Sequence, residues 1–138
     1  MIAIIDYDAG NIKSVEKALR FLGEEVTVTS DARTILNADK IILPGVGAFG
    51  DAMKKLHSLH LPDVIQEAVE NNTPFLGICL GMQLLFESSE ESPGVAGLGL
   101  LKGKIYRIPE GENLKIPHMG WNSLQFPQKS RLYQGIEE

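Results

Sequence analysis

The sequence predicts an α/β fold: a doubly wound, mostly parallel sheet with an antiparallel extension towards its C-terminal end. Three observations predict it. Short apolar or β-branched runs, typical of strands buried on both faces, recur along the first eighty or so residues. Segments with apolar residues at helical spacing separate these runs. From Lys104 onward apolar and polar residues alternate instead, which is typical of half-exposed antiparallel strands.

Length and composition indicate a single domain, residues 1–138. The chain has 138 residues and 43% hydrophobic content, enough for one core and too little for two. Lys and Arg total 13 against 18 Asp and Glu, with the signs interleaved, so we expect no nucleic-acid partner. No apolar run is long enough to span a bilayer, so we expect no membrane association. The lone cysteine and an N-terminus without signal-peptide features predict a cytoplasmic protein.

The first half of the sheet is predicted from two βα units. A continuous apolar run makes the first strand, and an amphipathic helix follows it and ends at Gly23. A β-branched run makes the second strand, and Ser30 or Asp31 can cap a short helix after it. The predicted bounds of these four elements are Ile2–Ile5, Ile12–Leu22, Val26–Thr29 and Ala32–Leu36.

Two further units complete the predicted parallel sheet. The apolar run Ile41–Leu43 makes the third strand, which Pro44 is expected to stop. Helical spacing from about Asp51 to Leu59 gives one helix, and Pro62 opens another. The polar segment Asn71–Pro74 closes that helix and leads into the fourth strand.

The last third of the chain predicts the antiparallel part. Turn-forming residues over Ser88–Gly94 indicate a surface loop. Alternation predicts strands at Lys104–Ile108 and Leu114–Ile116, joined by a hairpin-like turn over Glu110–Asn113. Trp121–Phe126 is a candidate for one more strand, and the last dozen residues show no clear element.

The fourth strand leads into the most informative stretch, Gly77-Ile78-Cys79-Leu80-Gly81. An apolar strand that breaks at Gly-x-Cys-x-Gly and resumes as a helix is typical of a nucleophile elbow, in which small flanking residues allow a sharp turn. The alternative is a buried cysteine that only packs. The two glycines, the strand-to-helix transition and the lack of any other cysteine favour a nucleophile.

Attack on a carbonyl also requires N–H donors for the developing oxyanion. The amide of Leu80, directly after the nucleophile, is one expected donor, and the glycine-rich turn around Val46 and Gly47 is the other. An ordinary βα turn is the alternative for that second stretch. Gln83 lies four residues after Cys79 on the same predicted helix, so it either reaches a bound substrate or faces solvent.

The sequence does not reveal a base for the thiol. Its three histidines are His57, His60 and His118. His57 and His60 lie three residues apart, but no further ligands accompany them, so we expect surface residues and no metal site. His118 is a candidate base on composition alone, whereas the adjacent Met119 and nearby Trp121 favour a protein interface.

Four motifs taken together carry a family resemblance. They resemble the glutaminase subunits of imidazole glycerol phosphate synthase, which are class I glutamine amidotransferases of flavodoxin-like architecture, over residues 1 to about 126. The motif Gly-x-Cys-x-Gly-x-Gln is shared by class I amidotransferases in general, whereas the first and last motifs point to this subunit. The motifs are Asp6-Tyr7-x-x-Gly10-Asn11-x-x-Ser14-Val15, Pro44–Phe49, Gly77–Gln83 and Pro117–Asn122.

The resemblance implies a catalytic role for several residues and no cofactor. Cys79 corresponds to the nucleophile that converts glutamine to a glutamyl thioester and releases ammonia. Val46 and Gly47 correspond to the oxyanion strand, with the Leu80 N–H as partner donor. Gln83 corresponds to the residue that holds glutamine, together with the glycines of the Pro44–Phe49 motif, Gly45 and Gly47.

The resemblance also implies a partner, the cyclase subunit, which is a (β/α)8 barrel. Ammonia passes to it internally and reacts with a phosphoribulosyl imidazole carboxamide intermediate, giving imidazole glycerol phosphate in histidine biosynthesis. The positions that correspond to the partner interface are Asn11, Ser14, His118, Met119 and Trp121. This assignment moves His118 from candidate base to interface.

The sequence departs from the family in two places. Asp8 stands where a small residue is common. More seriously, family members carry a catalytic His-x-Glu pair near the end of the domain, and none of the three histidines here is followed by x-Glu. We therefore expect the C-terminal part of the domain to be missing, an inactive or weakly active chain, and an exposed sheet edge able to form a homodimer.

Two other interpretations remain open. The chain is either a catalytically silent binding or regulatory module of amidotransferase shape, or a cysteine hydrolase or glyoxalase-like member of the same broad fold. The last would need His118 within hydrogen-bond reach of Cys79.

Overall fold

The computed structural model describes residues 1–111 and 115–136. The chain divides into two units, Met1–Arg107 and Ile108–Glu138. In the described residues of the second unit, the regular structure is one 3₁₀ turn, Arg131–Tyr133. The elements of the first unit are β1 (Ile2–Ile5), α1 (Ile12–Phe21), β2 (Val26–Thr29), α2 (Ala32–Leu36), β3 (Lys40–Gly45), α3 (Phe49–Ser58), α4 (Leu61–Glu70), β4 (Phe75–Cys79), α5 (Leu80–Gln83), β5 (Phe86–Ser89) and β6 (Leu101–Ile105).

The main sheet of the first unit is parallel throughout and has the predicted topology. Within the described residues it contains four strands in the order β2-β1-β3-β4. Ile4 pairs with Val28 on one side and with Ile42 on the other, and Leu43 pairs with Gly77. Such an order reverses direction between β1 and β3, so the ends of these strands create a crevice where ligands bind in doubly wound folds. The predicted mostly parallel α/β fold is confirmed.

The two faces of this sheet are covered unequally. Side chains of alternate residues, including Ile5 and Leu43, point into a core shared with α2, α3 and α4. The opposite face carries Ile4, which is buried, but over β4 it is open: Leu76 is 41% and Ile78 36% exposed. On this opposite face, α1 covers the sheet with side chains that are at most half-buried, since none of its residues is fully buried.

Helix termini follow the local signals of the sequence. The carboxylate of Asp31 accepts a hydrogen bond from the Thr34 N–H at 2.8 Å, which confirms the cap predicted for α2. Gly23 has φ +82° after the end of α1, the left-handed conformation expected of a C-terminal stop. Pro62 lies in the first turn of α4, as predicted. Among the described residues no helix has the length and apolar character needed to cross a membrane.

Pro44 does not stop β3, contrary to prediction. The strand continues to Gly45, and Pro44 pairs with Ile78 of β4. The carbonyl of Pro44 faces the Tyr7 hydroxyl instead of β4. The ladder between β1 and β3 has already ended at Ile42, so the N–H that proline lacks is not needed there.

The predicted antiparallel extension is wrong for the described residues. Strands β5 and β6 form a separate two-stranded sheet that runs parallel, and antiparallel pairing there is limited to the single bridge Ser88–Ala96. The connection over residues 90–100 is long enough to carry the chain back to the same end, as parallel pairing requires. Ser88 and Ser89, predicted in a surface loop, belong to β5, and Ser89 is buried.

Other predictions for the C-terminal third also change. The strand predicted at Lys104–Ile108 lies three residues earlier, as β6. The turn over 110–113 and the strand over 114–116 both include residues outside the described ranges. Trp121–Phe126 is irregular, because no strand of the second unit, in its described part, is available to pair with it.

Candidate active site

The chain turns from β4 into α5 at Cys79. This residue has φ +56° and ψ −119°, an unfavourable conformation for a side chain with a Cβ, and its thiol is exposed. Strained residues of this kind concentrate at functional sites, where the surrounding structure holds them in place. The predicted strand-to-helix corner is confirmed, and the alternative of a buried packing cysteine is wrong. The helix that follows, α5, is a single turn that ends at Gln83.

The two glycines of the elbow are required by close backbone contacts. A Cβ on Gly81 would lie 1.8 Å from the carbonyl oxygen of Leu43, and a Cβ on Gly77 would lie 2.5 Å from the Met82 Cα. Both distances are far below van der Waals contact, and the neighbouring atoms are backbone. The Gly-x-Cys-x-Gly spacing therefore allows α5 to pack directly against the ends of β3 and β4.

The end of β3 and the loop after it, residues 46–48, lie beside this corner. Gly45 pairs with Cys79 across the sheet, and a Cβ on Gly45 would lie 2.6 Å from the Gly81 nitrogen. Val46 is 53% exposed. Gly47 has φ +93° and open space around its α-carbon, so a side chain would fit there but would strain the backbone. Leu80, the first residue of α5, has an N–H without an intrahelical acceptor.

Tyr7 supports the β3 end of this loop, a role that sequence reasoning did not assign. Its side chain is fully buried and its hydroxyl donates a hydrogen bond to the Pro44 carbonyl oxygen at 2.9 Å. Burial raises the pKa of Tyr7 to about 12, and the nearby charge of Cys79 raises it in the same direction. The available signal was an aromatic hydroxyl two residues after the end of β1, at the carboxyl edge of the sheet.

The α3 end of the loop is held by the segment that follows β5. The carboxylate of Glu91 accepts a hydrogen bond from the Phe49 N–H at 2.8 Å, and the Ser92 hydroxyl accepts one from the Gly50 N–H at 3.0 Å. These N–H groups belong to the first turn of α3 and have no intrahelical partner. A segment predicted as plain surface loop thus caps the helix that begins next to the candidate oxyanion donors.

On its outer side the same loop borders an open cavity of about 500 Å³. The carboxylate of Asp8 lies 3.0 Å from the Lys55 Nζ, which ties the loop after β1 to α3 at the edge of this cavity. Asp8, which departs from the family pattern, has φ +59°. The lining residues are Ala9, Val46, Gly47, Ala48, Asp51, Ala52, Lys54, Lys55 and Ser58.

The remaining predicted site residues fall into two groups. Gln83 is half-buried at the end of α5, and Asn11 and Ser14 are exposed at the start of α1. His118, Met119 and Trp121 belong to the second unit, where Met119 and Trp121 are almost fully exposed. In that unit a ring nitrogen of His118 lies 2.8 Å from the Asn122 amide nitrogen.

His57 and His60 are surface residues, as predicted. His57 is exposed in the last turn of α3, and His60 is exposed in a left-handed conformation just before α4. The structure thus brings together Cys79, Leu80, the 46–48 loop and Gln83 on one unit.

The doubly wound parallel sheet and the cysteine at its strained strand-to-helix corner together indicate the class of protein to which the chain belongs. The family model for class I glutamine amidotransferases matches residues 3–138, and the chain belongs to this family. A crystal structure of a glutamine amidotransferase superposes on this chain with a TM-score of 0.66 and 21% sequence identity. The superposition covers 78% of this chain and 57% of that one, and it supports the fold.

Within the family, the curated relatives are more specific. The chain is 53% identical over 140 residues to imidazole glycerol phosphate synthase subunit HisH 1 of Methanococcus maripaludis, covering 99% of this chain and 68% of that protein. It is 52% identical over 136 residues to subunit HisH of Aquifex aeolicus, covering 98% and 65%. The chain is a HisH-type amidotransferase, and it spans about two thirds of the length of these relatives.

Proposed function

We propose that Cys79 attacks the side-chain carboxamide of glutamine. The thiolate sulfur forms a bond to the carboxamide carbon, the C–N bond breaks, and the nitrogen takes a proton and leaves as ammonia. Water then displaces the sulfur from the glutamyl thioester, giving glutamate. The observation that carries this proposal is the exposed Cys79 thiol, held at φ +56° beside the 46–48 loop.

The surrounding residues have separate tasks in this reaction. The N–H groups of Leu80 and of the Val46–Gly47 turn stabilise the oxyanion, and a site of this kind loses about two to three orders of magnitude in turnover with each donor removed. Gly45, Gly47 and Gln83 hold glutamine. The contact between Gly45 and the elbow supports this arrangement, because it brings both sets of donors to one edge of the sheet.

The partner in this proposal is the cyclase subunit of imidazole glycerol phosphate synthase, a (β/α)8 barrel that receives the ammonia for histidine biosynthesis in the cytoplasm. The relatives from Methanococcus maripaludis and Aquifex aeolicus are subunits of that synthase, which supports this partner. The interface residues are Asn11, Ser14, His118, Met119 and Trp121. The nearly complete exposure of the Met119 and Trp121 side chains supports a docking role, since large apolar groups of this kind mark interfaces.

Residues 1–138 belong to one amidotransferase domain in this proposal, supported by a family match that spans both units. On its own the 138-residue chain is an inactive or weak glutaminase, since it contains no His-x-Glu pair. His57 and His60 are exposed on α3 and before α4, and neither is followed two residues later by a glutamate.

Glutamate release from glutamine tests both parts of the proposal. The chain alone and the chain extended with the C-terminal third of the Methanococcus maripaludis relative are each assayed with and without a cyclase subunit. We expect little or no release from the chain alone and clear release from the extended chain. Normal turnover by the chain alone would contradict the assignment of the base. Cyclase binding without turnover by the extended chain would favour the silent binding module.

The open edge of the sheet gives a separate prediction about assembly. We expect homodimers in which the edge strand β4 pairs with its copy, because Leu76 and Ile78 leave an apolar surface there and, within residues 1–111 and 115–136, β4 pairs with no strand besides β3. A Leu76→Lys variant should shift sedimentation towards the monomer, since a charge on an edge strand opposes pairing. A wild-type chain that stays monomeric at all concentrations would contradict this prediction.

A further inference from the structure

We propose that Tyr7 is a positioning residue: its hydroxyl fixes the end of β3 against the elbow and so sets the position of the 46–48 loop. The inference rests on the proposed function of that loop as an oxyanion donor. Tyr7 itself touches neither the reacting atoms nor the substrate in this proposal. It acts through Pro44 and Gly45.

The Tyr7 hydroxyl supplies a hydrogen bond to Pro44 that the β1–β3 ladder does not supply. Strand β1 ends at Ile5, and its last pair with β3 is Ile4–Ile42, so no backbone donor of the β1–β3 ladder reaches Pro44. Tyr7 follows two residues after Ile5, and its buried hydroxyl donates to the Pro44 carbonyl oxygen at 2.9 Å. The side chain thus extends the pairing beyond the point where the backbone ladder stops. Without it, a buried carbonyl would lose its partner.

Tyr7 and the elbow both approach Gly45 closely. A Cβ on Gly45 would lie 2.6 Å from the Gly81 nitrogen, 2.8 Å from the Tyr7 hydroxyl oxygen and 2.9 Å from the Leu80 Cβ. The hydroxyl and the first residues of α5 therefore meet in the space that a side chain at position 45 would occupy. Since Gly45 pairs with Cys79, this one position links the nucleophile to the loop that follows.

The loop over residues 46–48 lies between two sets of side-chain hydrogen bonds. Tyr7 holds the chain at Pro44, and Glu91 and Ser92 hold it again from Phe49 onward. Between these anchors lie the exposed Val46, Gly47 and Ala48. Loss of the first anchor lets the Val46–Gly47 peptide shift. Displacement of a catalytic group by about 1 Å can cost about 100-fold in rate.

The experiment compares two alkylating reagents on the Tyr7→Phe variant. A chloroketone analogue of glutamine places its carbonyl oxygen in the oxyanion site while the Cys79 sulfur displaces chloride, so its rate depends on the loop. Iodoacetamide alkylates the thiol, with loss of iodide, without needing that site. We expect the chloroketone rate to fall about tenfold or more in Tyr7→Phe, with the iodoacetamide rate unchanged within about twofold.

A matched control separates positioning from general destabilisation. Asp31→Ala removes the cap of α2, on an element that does not supply the site, and should lower the thermal midpoint without changing either rate. Equal slowing of both reagents in Tyr7→Phe, or an unchanged chloroketone rate, would overturn the positioning role. A different result would contradict the proposed function itself. In that case the wild-type chain would show no preference for the chloroketone and no protection by glutamine.

A measurement on the unmodified chain covers the case in which Tyr7→Phe does not fold. The hydroxyl proton of Tyr7 should be observable by NMR and exchange slowly with water, because it is buried and bonded to the Pro44 carbonyl. Rapid exchange of this proton would overturn the proposal.

Discussion

Replacing Cys79 with Ala in the extended chain is expected to reduce glutamate release by about four to six orders of magnitude, to the background of the assay. Removing the nucleophile of a covalent mechanism costs about this much, because the remaining donors and binding contacts cannot supply the covalent step. Cys79→Ser is expected to retain the fold with little activity. The measurement is steady-state glutamate release with the cyclase subunit present.

The control for this prediction is Met82→Leu, an exposed position on the same short helix, which should change turnover by less than about threefold. Cyclase binding should be the same in the wild-type and Cys79→Ala chains, since the interface residues are unaltered. A Cys79→Ala chain that keeps more than about a tenth of the wild-type rate would remove Cys79 from the mechanism.

Substituting Ala for Gly81 is expected to destabilise the chain by about 3–5 kcal/mol, the upper range for single substitutions. The added methyl group would lie 1.8 Å from the Leu43 carbonyl oxygen, so the elbow and β3 would have to separate. Both sides of this contact are backbone, and no change of rotamer can relieve it. Denaturant unfolding followed by circular dichroism measures the loss as a shift in the transition midpoint.

Gly99→Ala is the matched control for the elbow glycine. Gly99 has φ +66° and open space around its α-carbon, so the substitution costs only the left-handed backbone conformation, about 1–2 kcal/mol. A Gly81→Ala chain no less stable than Gly99→Ala would mean that the elbow is not packed as the structure has it.

Local signals explain why much of this fold was predictable. Continuous apolar runs and helical spacing identify β1 to β4 and the helices between them, because each signal lies within the element that it specifies. The elbow was predictable for the same reason: Gly77, Cys79 and Gly81 are neighbours in sequence, and the close contacts that require glycine are made there.

The parts that sequence reasoning missed depend on contacts between distant residues. Tyr7 meets Pro44 across 37 positions, and Glu91 meets Phe49 across 42. No local pattern distinguishes Glu91 from any other acidic residue of a polar loop. The parallel pairing of β5 and β6 was missed because alternation predicts a half-exposed strand without giving its partner or direction.

A single labelling experiment tests the central claim, that Cys79 is the nucleophile that attacks glutamine. The 138-residue chain is treated with the chloroketone analogue of glutamine, with and without excess glutamine, and the adduct is located by mass spectrometry of proteolytic peptides. We expect one adduct, on Cys79, that forms more slowly when glutamine is present. An adduct elsewhere, or labelling of Cys79 that glutamine does not slow, would contradict it.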